Sequence, residues 1–146
     1  MIIVRQNKLT DDIIGNNNNN NKYILLVDDD KDTIFTFDLY LKSIGYTIVS
    51  FVNPVEALDY FNKNFAECSL VITDFSMPKM SGIDLIKKIR EKDQNYIKKI
   101  ILISATIKGN ILTDYYDELS NLKVNKMLEK PMSLEILKNA IRTLIE

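Results

Sequence analysis

Three aspartates stand in a row at Asp28-Asp29-Asp30, directly behind the apolar run Tyr23–Val27. Adjacent like charges repel, and a carboxylate withdrawn from water without a partner is costly. Such a cluster is either the solvated start of a helix or the wall of a site for something cationic. Further along, Asp74 follows the apolar run Ser69–Thr73, Ser104 follows Lys99–Ile103, and Lys130 follows Val124–Leu128. Two or three carboxylates with one lysine form an oxygen-rich cluster that suits Mg²⁺, which takes few protein ligands and keeps several waters.

Other acid-based chemistry fits less well. Asp28-x-Asp30-x-Asp32 begins like a calcium loop, but Thr33 stands where glycine is needed and Leu39 where glutamate is needed. A phosphatase of the haloacid dehalogenase type also opens on strand-Asp-x-Asp, then wants Thr or Val where this chain has Asp32. No Gly-rich phosphate loop is present. Asp30 and Asp32 read as helix caps alone.

The elements that must position these residues are legible as a regular alternation. Tyr23–Val27, Thr47–Phe51, Ser69–Thr73, Lys99–Ile103 and Val124–Leu128 read as strands. Between them come amphipathic segments. Ile34, Phe37, Leu41 and Ile44 recur at helical spacing over 32–44, which Gly45 ends. Asn53-Pro54 reads as an N-cap with proline at the first helical position, followed by Val55, Leu58 and Phe61 on one face. Ser81-Gly82 opens a helix carrying Ile83, Leu85, Ile86 and Ile89. A polar helix is expected over 107–120, and Ser133 caps a last one with Leu134, Leu137, Ile141 and Leu144 facing inward. Near-continuous apolar strands alternating with amphipathic helices predict a parallel sheet covered on both faces. The expected fold is α/β and flavodoxin-like, a doubly wound five-stranded sheet of order 2-1-3-4-5 that binds ligands beyond its carboxyl strand ends. Asp28, Asp29, Asp74, Ser104 and Lys130 all fall at such ends and should converge on one edge.

The totals narrow the function classes. The chain has 146 residues, enough for one domain, and its 19 basic and 20 acidic residues give a net charge of −1. That balance offers no electrostatic reason to expect direct nucleic-acid or membrane binding. Histidine is absent, which removes imidazole acid–base catalysis and imidazole metal ligands. The single Cys68 excludes an internal disulfide and reads as inert packing. No apolar run is long enough to span a membrane, and no secretory signal opens the chain, so a cytoplasmic location is expected. Residues 1–21 stand apart as an expected flexible tail, with an unbroken asparagine run from Asn16 to Asn21. Its apolar pieces, Met1–Val4 and Ile13-Ile14, carry no pattern that demands docking.

The motifs together resemble the response-regulator receiver domain of two-component signalling. The resemblance rests on Ile24–Asp30, on Val71–Gly82, on Ile101-Leu102-Ile103-Ser104-Ala105 and on Glu129-Lys130-Pro131, in order and at suitable spacing. It covers residues 22–146 and implies that Asp74 is the phosphoacceptor. It further implies Asp29 as a direct Mg²⁺ ligand, Asp28 as a ligand largely through water, and the Ser76 carbonyl as the remaining protein ligand. Ser104 would be the hydroxyl switch and Lys130 the salt-bridging lysine, with a cis bond invited at Lys130-Pro131. A sensor histidine kinase or histidine phosphotransfer protein would donate the phosphoryl group. The surface around the fourth helix, fifth strand and fifth helix would signal in trans to a downstream protein. The chain ends soon after Leu144, so a stand-alone receiver is expected. The competing class is a non-phosphorylated pseudo-receiver acting as a binding module, against which the intact acids, Ser104 and Lys130 argue. A flavin-binding flavodoxin relative would need a Ser/Thr-rich phosphate loop where the chain has Asp28-Asp29-Asp30. Two features depart from the family pattern. Met127 stands where receivers usually carry an aromatic residue, and the segment from Ser104 to Lys130 is a few residues longer than usual.

Overall fold

Five parallel strands pair in the order β2-β1-β3-β4-β5 in the structure, a computed structural model that describes residues 22–105 and 110–146. The strands are β1 Tyr23–Val27, β2 Ile48–Phe51, β3 Cys68–Asp74, β4 Lys99–Ser104 and β5 Lys126–Glu129. The helices are α1 Lys31–Ser43, α2 Pro54–Lys63, α3 Gly82–Lys92, α4 Asn110–Asn121 and α5 Leu134–Ile145. A turn of 3₁₀ helix, Phe65–Glu67, leads into β3. The expected tail and the expected helical residues 107–109 lie outside the described residues.

Strand side chains alternate between faces, so consecutive apolar residues feed two separate cores. Tyr23, Leu25, Val27, Val71, Ile100 and Leu102 pack under Ala57 and Phe61 of α2, Ile83, Ile86 and Ile89 of α3, and Leu119 of α4. Ile24, Leu26, Leu70, Ile72, Ile101 and Ile103 meet Phe37 and Leu41 of α1 and Leu137 and Ile141 of α5 on the other face. An unbroken apolar run is therefore what a sheet buried on both sides requires. β1 and β3 lie side by side at the centre, with Val27 opposite Thr73. Strand order reverses there, and a crevice opens beyond their carboxyl ends.

Local chemistry sets the helix starts. Asp30, Asn53, Ser81 and Ser133 each accept a backbone N–H from the first turn of the helix that follows. Three expectations needed correction. Ile44 is the C-terminal cap of α1 and is 41% exposed, because the helix ends before its inward face returns. Val55 is exposed, because the buried face of α2 is formed by Pro54, Ala57 and Phe61 and Val55 lies off it. β5 begins at Lys126 and not Val124, because Asn125 ties back to Ile100: its N–H donates to the Ile100 carbonyl and its side chain accepts the Ile100 N–H.

Candidate functional site

The end of β1 delivers Asp28 and Asp29 side by side with opposite surroundings. Asp28 is buried and Asp29 exposed. The Asp28 N–H donates to the Phe51 carbonyl, and its carboxylate accepts the Asp30 N–H at 2.9 Å. Asp30 turns away and caps α1, accepting the Asp32 N–H and the Thr33 hydroxyl, which holds its carboxyl below the usual range. The capping roles expected for Asp30 and Asp32 thus separate: Asp30 caps, and Asp32 supplies a backbone donor.

Asp74 closes β3 across from Ile103 and is 8% exposed. Its position is fixed through the backbone on both sides. The Thr73 hydroxyl donates to its carbonyl, and the next N–H, of Phe75, donates to the Ile103 carbonyl at 2.7 Å. Gly82 then presses α3 against this turn. Its N–H donates to the Phe75 carbonyl, and a Cβ there would lie 2.2 Å from the Asp74 carbonyl oxygen. Only glycine permits that approach.

Lys130 follows β5 and reaches across the sheet edge. Its ammonium lies 2.8 Å from Asp28 Oδ2 and 3.1 Å from Asp74 Oδ1. The Lys130–Pro131 bond is cis, as expected. The Lys130 N–H donates to the Ser104 carbonyl, so the two strand ends are tied by their backbones. Ser104 is buried at the end of β4.

Electrostatically the site is an acidic cluster with one counter-charge. Asp28, Asp29 and Asp74 offer carboxylate oxygens within 4.8 Å of one another. Burial and then the charge of Asp28 raise the Asp74 carboxyl above its ordinary value, opposed by Lys130 and by the Ser76 N–H. Burial pulls the Lys130 ammonium down, but Asp28 and Asp74 more than offset it, and its pKa stands raised. Three carboxylates against one ammonium leave excess negative charge, which an oxygen-seeking divalent cation would balance. The structure therefore brings together Asp28, Asp29, Asp74 and Lys130 as read from the sequence, with Ser76 and Ser104 adjoining through the backbone. The contact of Gly82 with Asp74 was not read, although a glycine opening a helix just after an acidic turn is a signal for close approach.

A sequence profile of the response regulator receiver domain matches residues 24–142. The chain belongs to that family. The receiver is similar to the chemotaxis protein CheY1 of Helicobacter pylori strain J99, 32% identical over 108 residues, covering 72% of this chain and 82% of that one. It is also similar to the 3',5'-cyclic-nucleotide phosphodiesterase regA of Dictyostelium discoideum, 31% identical over 108 residues. That match covers 73% of this chain but 13% of the phosphodiesterase. Among solved structures, a receiver domain protein from Clostridium thermocellum matches with a TM-score of 0.73 at 26% identity, covering 85% of this chain and 94% of that one. The CheX–CheY–BeF3–Mg²⁺ complex from Borrelia burgdorferi shares the fold, with a TM-score of 0.72 at 24% identity over 86% of this chain and 90% of that one. Receivers are signalling phosphoacceptors that bind Mg²⁺ at an acidic pocket, and no helix among the described residues is long and apolar enough to cross a membrane.

Proposed function

We propose that this receiver takes a phosphoryl group onto Asp74 from a phosphohistidine on a sensor kinase or phosphotransfer protein, and signals to a downstream protein in trans. The observation that carries the reading is Lys130 bridging Asp28 and Asp74 at the switch point of the sheet. An Asp74 carboxylate oxygen attacks phosphorus while the bond to the imidazole nitrogen breaks. The approaching phosphoryl oxygens are negative, so the attack needs local positive charge. Lys130 provides part of it and is already aimed at the Asp74 oxygen. Mg²⁺ held by Asp29, Asp28, Asp74 and the Ser76 carbonyl would supply the remaining charge neutralisation. Ser104 would turn its hydroxyl to a phosphoryl oxygen, and Lys130 would pair with another. Ser104 ends β4 and Lys130 directly follows β5, so both adjoin α4, β5 and α5, the surface on which the change would be read. The presence of the three acids, Ser104 and Lys130 at the strand ends supports phosphorylation over a binding-only role.

The test is incubation with Mg²⁺ and acetyl phosphate, followed by intact-mass measurement. One added phosphoryl group, labile to base, dependent on Mg²⁺ and mapping to Asp74, is the expected result. A chain that stays unmodified under donor excess would identify a binding module instead.

A further inference from the structure

Strand β2 ends the sheet on one side, and no strand among the described residues lies beyond it. Its pairing with β1 uses every second residue. The Thr47 carbonyl accepts the Ile24 N–H, and the Phe51 carbonyl accepts the Asp28 N–H. Backbone groups alternate in direction along a strand, so the N–H and C=O of Ile48 and Ser50 point away from the sheet. Natural edges are commonly blunted by a charge, a proline or a bulge. Thr47-Ile48-Val49-Ser50-Phe51-Val52 carries neither charge nor proline, and its pairing with β1 runs in unbroken register.

Apolar grooves flank this edge on both faces of the sheet. On the α1 side, Phe35 and Leu39 lie one helical turn apart and are 68% and 60% exposed. With Ile34 and the exposed Val52 they line a groove of about 510 Å³. On the α2 side, the exposed Val55 lines a groove of about 630 Å³ with Phe51 and Tyr60. Exposed apolar side chains gathered along one uncharged edge mark an interaction surface.

We propose that the β2 edge joins two copies of this chain into a symmetric dimer, in which β2 pairs antiparallel with β2 of the second copy and the two sheets become one. Self-complementarity selects a second copy as the occupant. A two-fold axis at Ser50 sets Ser50 opposite Ser50 and Ile48 opposite Val52, so the outward N–H and C=O groups of each opposed pair meet. The same axis runs each flanking helix antiparallel to its copy. Phe35 of one α1 then faces Leu39 of the other, and the first groove closes with apolar surface from both chains. On α2 the outward charges run in the order Glu56, Asp59, Lys63. An antiparallel copy presents them in reverse, so Glu56 of each chain faces Lys63 of the other. Asp38, in the α1 groove, is matched within its own chain by Lys42 and the Ser50 hydroxyl, so it brings no unpaired charge to the seam. Lys31 sits between Asp30 and Asp32, which offset its charge toward Lys42 of the second copy.

The seam leaves the Asp74 crevice clear, because β1 separates β3 from the β2 edge. It also sets the two β5 edges at opposite ends of the joined sheet. The α4–β5–α5 surface is then presented twice, and a target with two binding sites gains from the raised effective concentration. That last step alone rests on the signalling reading above.

Sedimentation equilibrium of the full chain, without Mg²⁺ or a phosphate donor, tests this. A concentration-dependent dimer is expected, with exchange of the Ile48 and Ser50 amides slowing as it forms. Glu56→Lys and Lys63→Glu are both at exposed positions on α2. Each brings like charges together at two places and should weaken the dimer about tenfold. An equimolar mixture of the two variants sets opposite charges together at both places and should recover the wild-type affinity. Ser50→Lys, which brings two ammonium groups to the axis, should leave monomer. A chain that stays monomeric at millimolar concentration overturns the proposal. So does a dimer that Ser50→Lys leaves intact, or one whose two charge variants fail to recover on mixing, since the contact then lies on another face. No phosphoryl transfer enters the measurement, so its failure is distinct from failure of the phosphoacceptor reading.

Discussion

Asp74 is held at an energetic disadvantage by the groups that would make it useful. It is buried beside Asp28, and its carboxyl is raised above the ordinary aspartate value of 3.8, first by burial and then by that neighbour. A carboxyl that binds its proton more tightly when folded makes stability fall as pH rises from the unfolded value through the folded one. Asp74→Asn should therefore stabilise the metal-free protein at pH 7, with the gain shrinking as pH falls through the raised folded value toward 3.8 and gone below it. Each kcal/mol released corresponds to about 3–5 °C in Tm for a domain of this size. Thermal melts in chelator at both pH values check this, and acetyl phosphate should add nothing to the variant. Asp29 carries no comparable strain, being exposed. Its expected contribution is to cation affinity. Mg²⁺ at tenfold excess over its Kd should stabilise the wild type by about 1.4 kcal/mol, by mass action on the native state. Asp29→Ala should lose most of that increment in a parallel titration, and an equal increment in the variant would remove Asp29 from the ligand set.

Helix α3 is where element geometry and site geometry meet. At its first residue, Gly82 lets the helix touch the Asp74–Phe75 turn. Gly82→Ala should cost about 3 kcal/mol, because the atom it meets is backbone and cannot swing aside. Denaturant unfolding measures that cost, and the rate of phosphoryl uptake by the fraction still folded should drop as Asp74 is displaced. At its other end α3 holds a buried staple. Arg90 donates to the carbonyls of Lys98, Leu122 and Lys123 and pairs with Asp93 at 2.7 Å, tying β4 and the turn after α4 to α3. Asp93 in turn accepts the N–H groups of Ile97 and Lys98. Arg90→Met should cost about 3 kcal/mol or more, since Asp93 would be left buried without its cation. Here the limits of sequence reading are clear. Helices with apolar residues at period 3.6 and strands with unbroken apolar runs were legible, as were the acids at strand ends, because each is a local pattern that topology multiplies. The staple was not read, although Arg90 falls seven residues after Ile83 on the inward face of α3. Its partners lie up to 33 residues away and are mostly carbonyls, which carry no sequence identity. The start of β5 was misplaced for the same reason: Val124 looks like a strand residue, but the tie of Asn125 to Ile100, 25 residues earlier, sets where the strand begins.

At the scale of the whole molecule, the sheet connects the acidic pocket to one lateral surface by two routes. One is through backbone, where Lys130 N–H meets the Ser104 carbonyl and Ser104 lies opposite Glu129. The other is through aromatic rings, where Phe75, the residue after Asp74, meets Tyr115 of α4 edge-on with centroids 5.4 Å apart. Lys87 of α3 also pairs with Glu118 of α4. The usual aromatic position on β5 holds Met127, which is half-buried against the α2–α3–α4 core. Methionine is unbranched and deformable, so it can refill space vacated by Ser104 with little strain. A bulky ring would instead have to choose between an exposed and a buried place. The two states of this receiver should accordingly lie closer in energy, giving a softer switch that phosphate separates less completely. Amide exchange with and without beryllofluoride and Mg²⁺ measures the outcome. Protection should change along α4 and at β5 as well as beside Asp74, with the change at α4 smaller in Met127→Ala, where nothing refills the space. Phe75→Leu should reduce the change at α4 while leaving that at β5 in place, because only the ring contact is removed. Changes confined to residues 28–30 and 74–76 would show that neither route carries the signal outward.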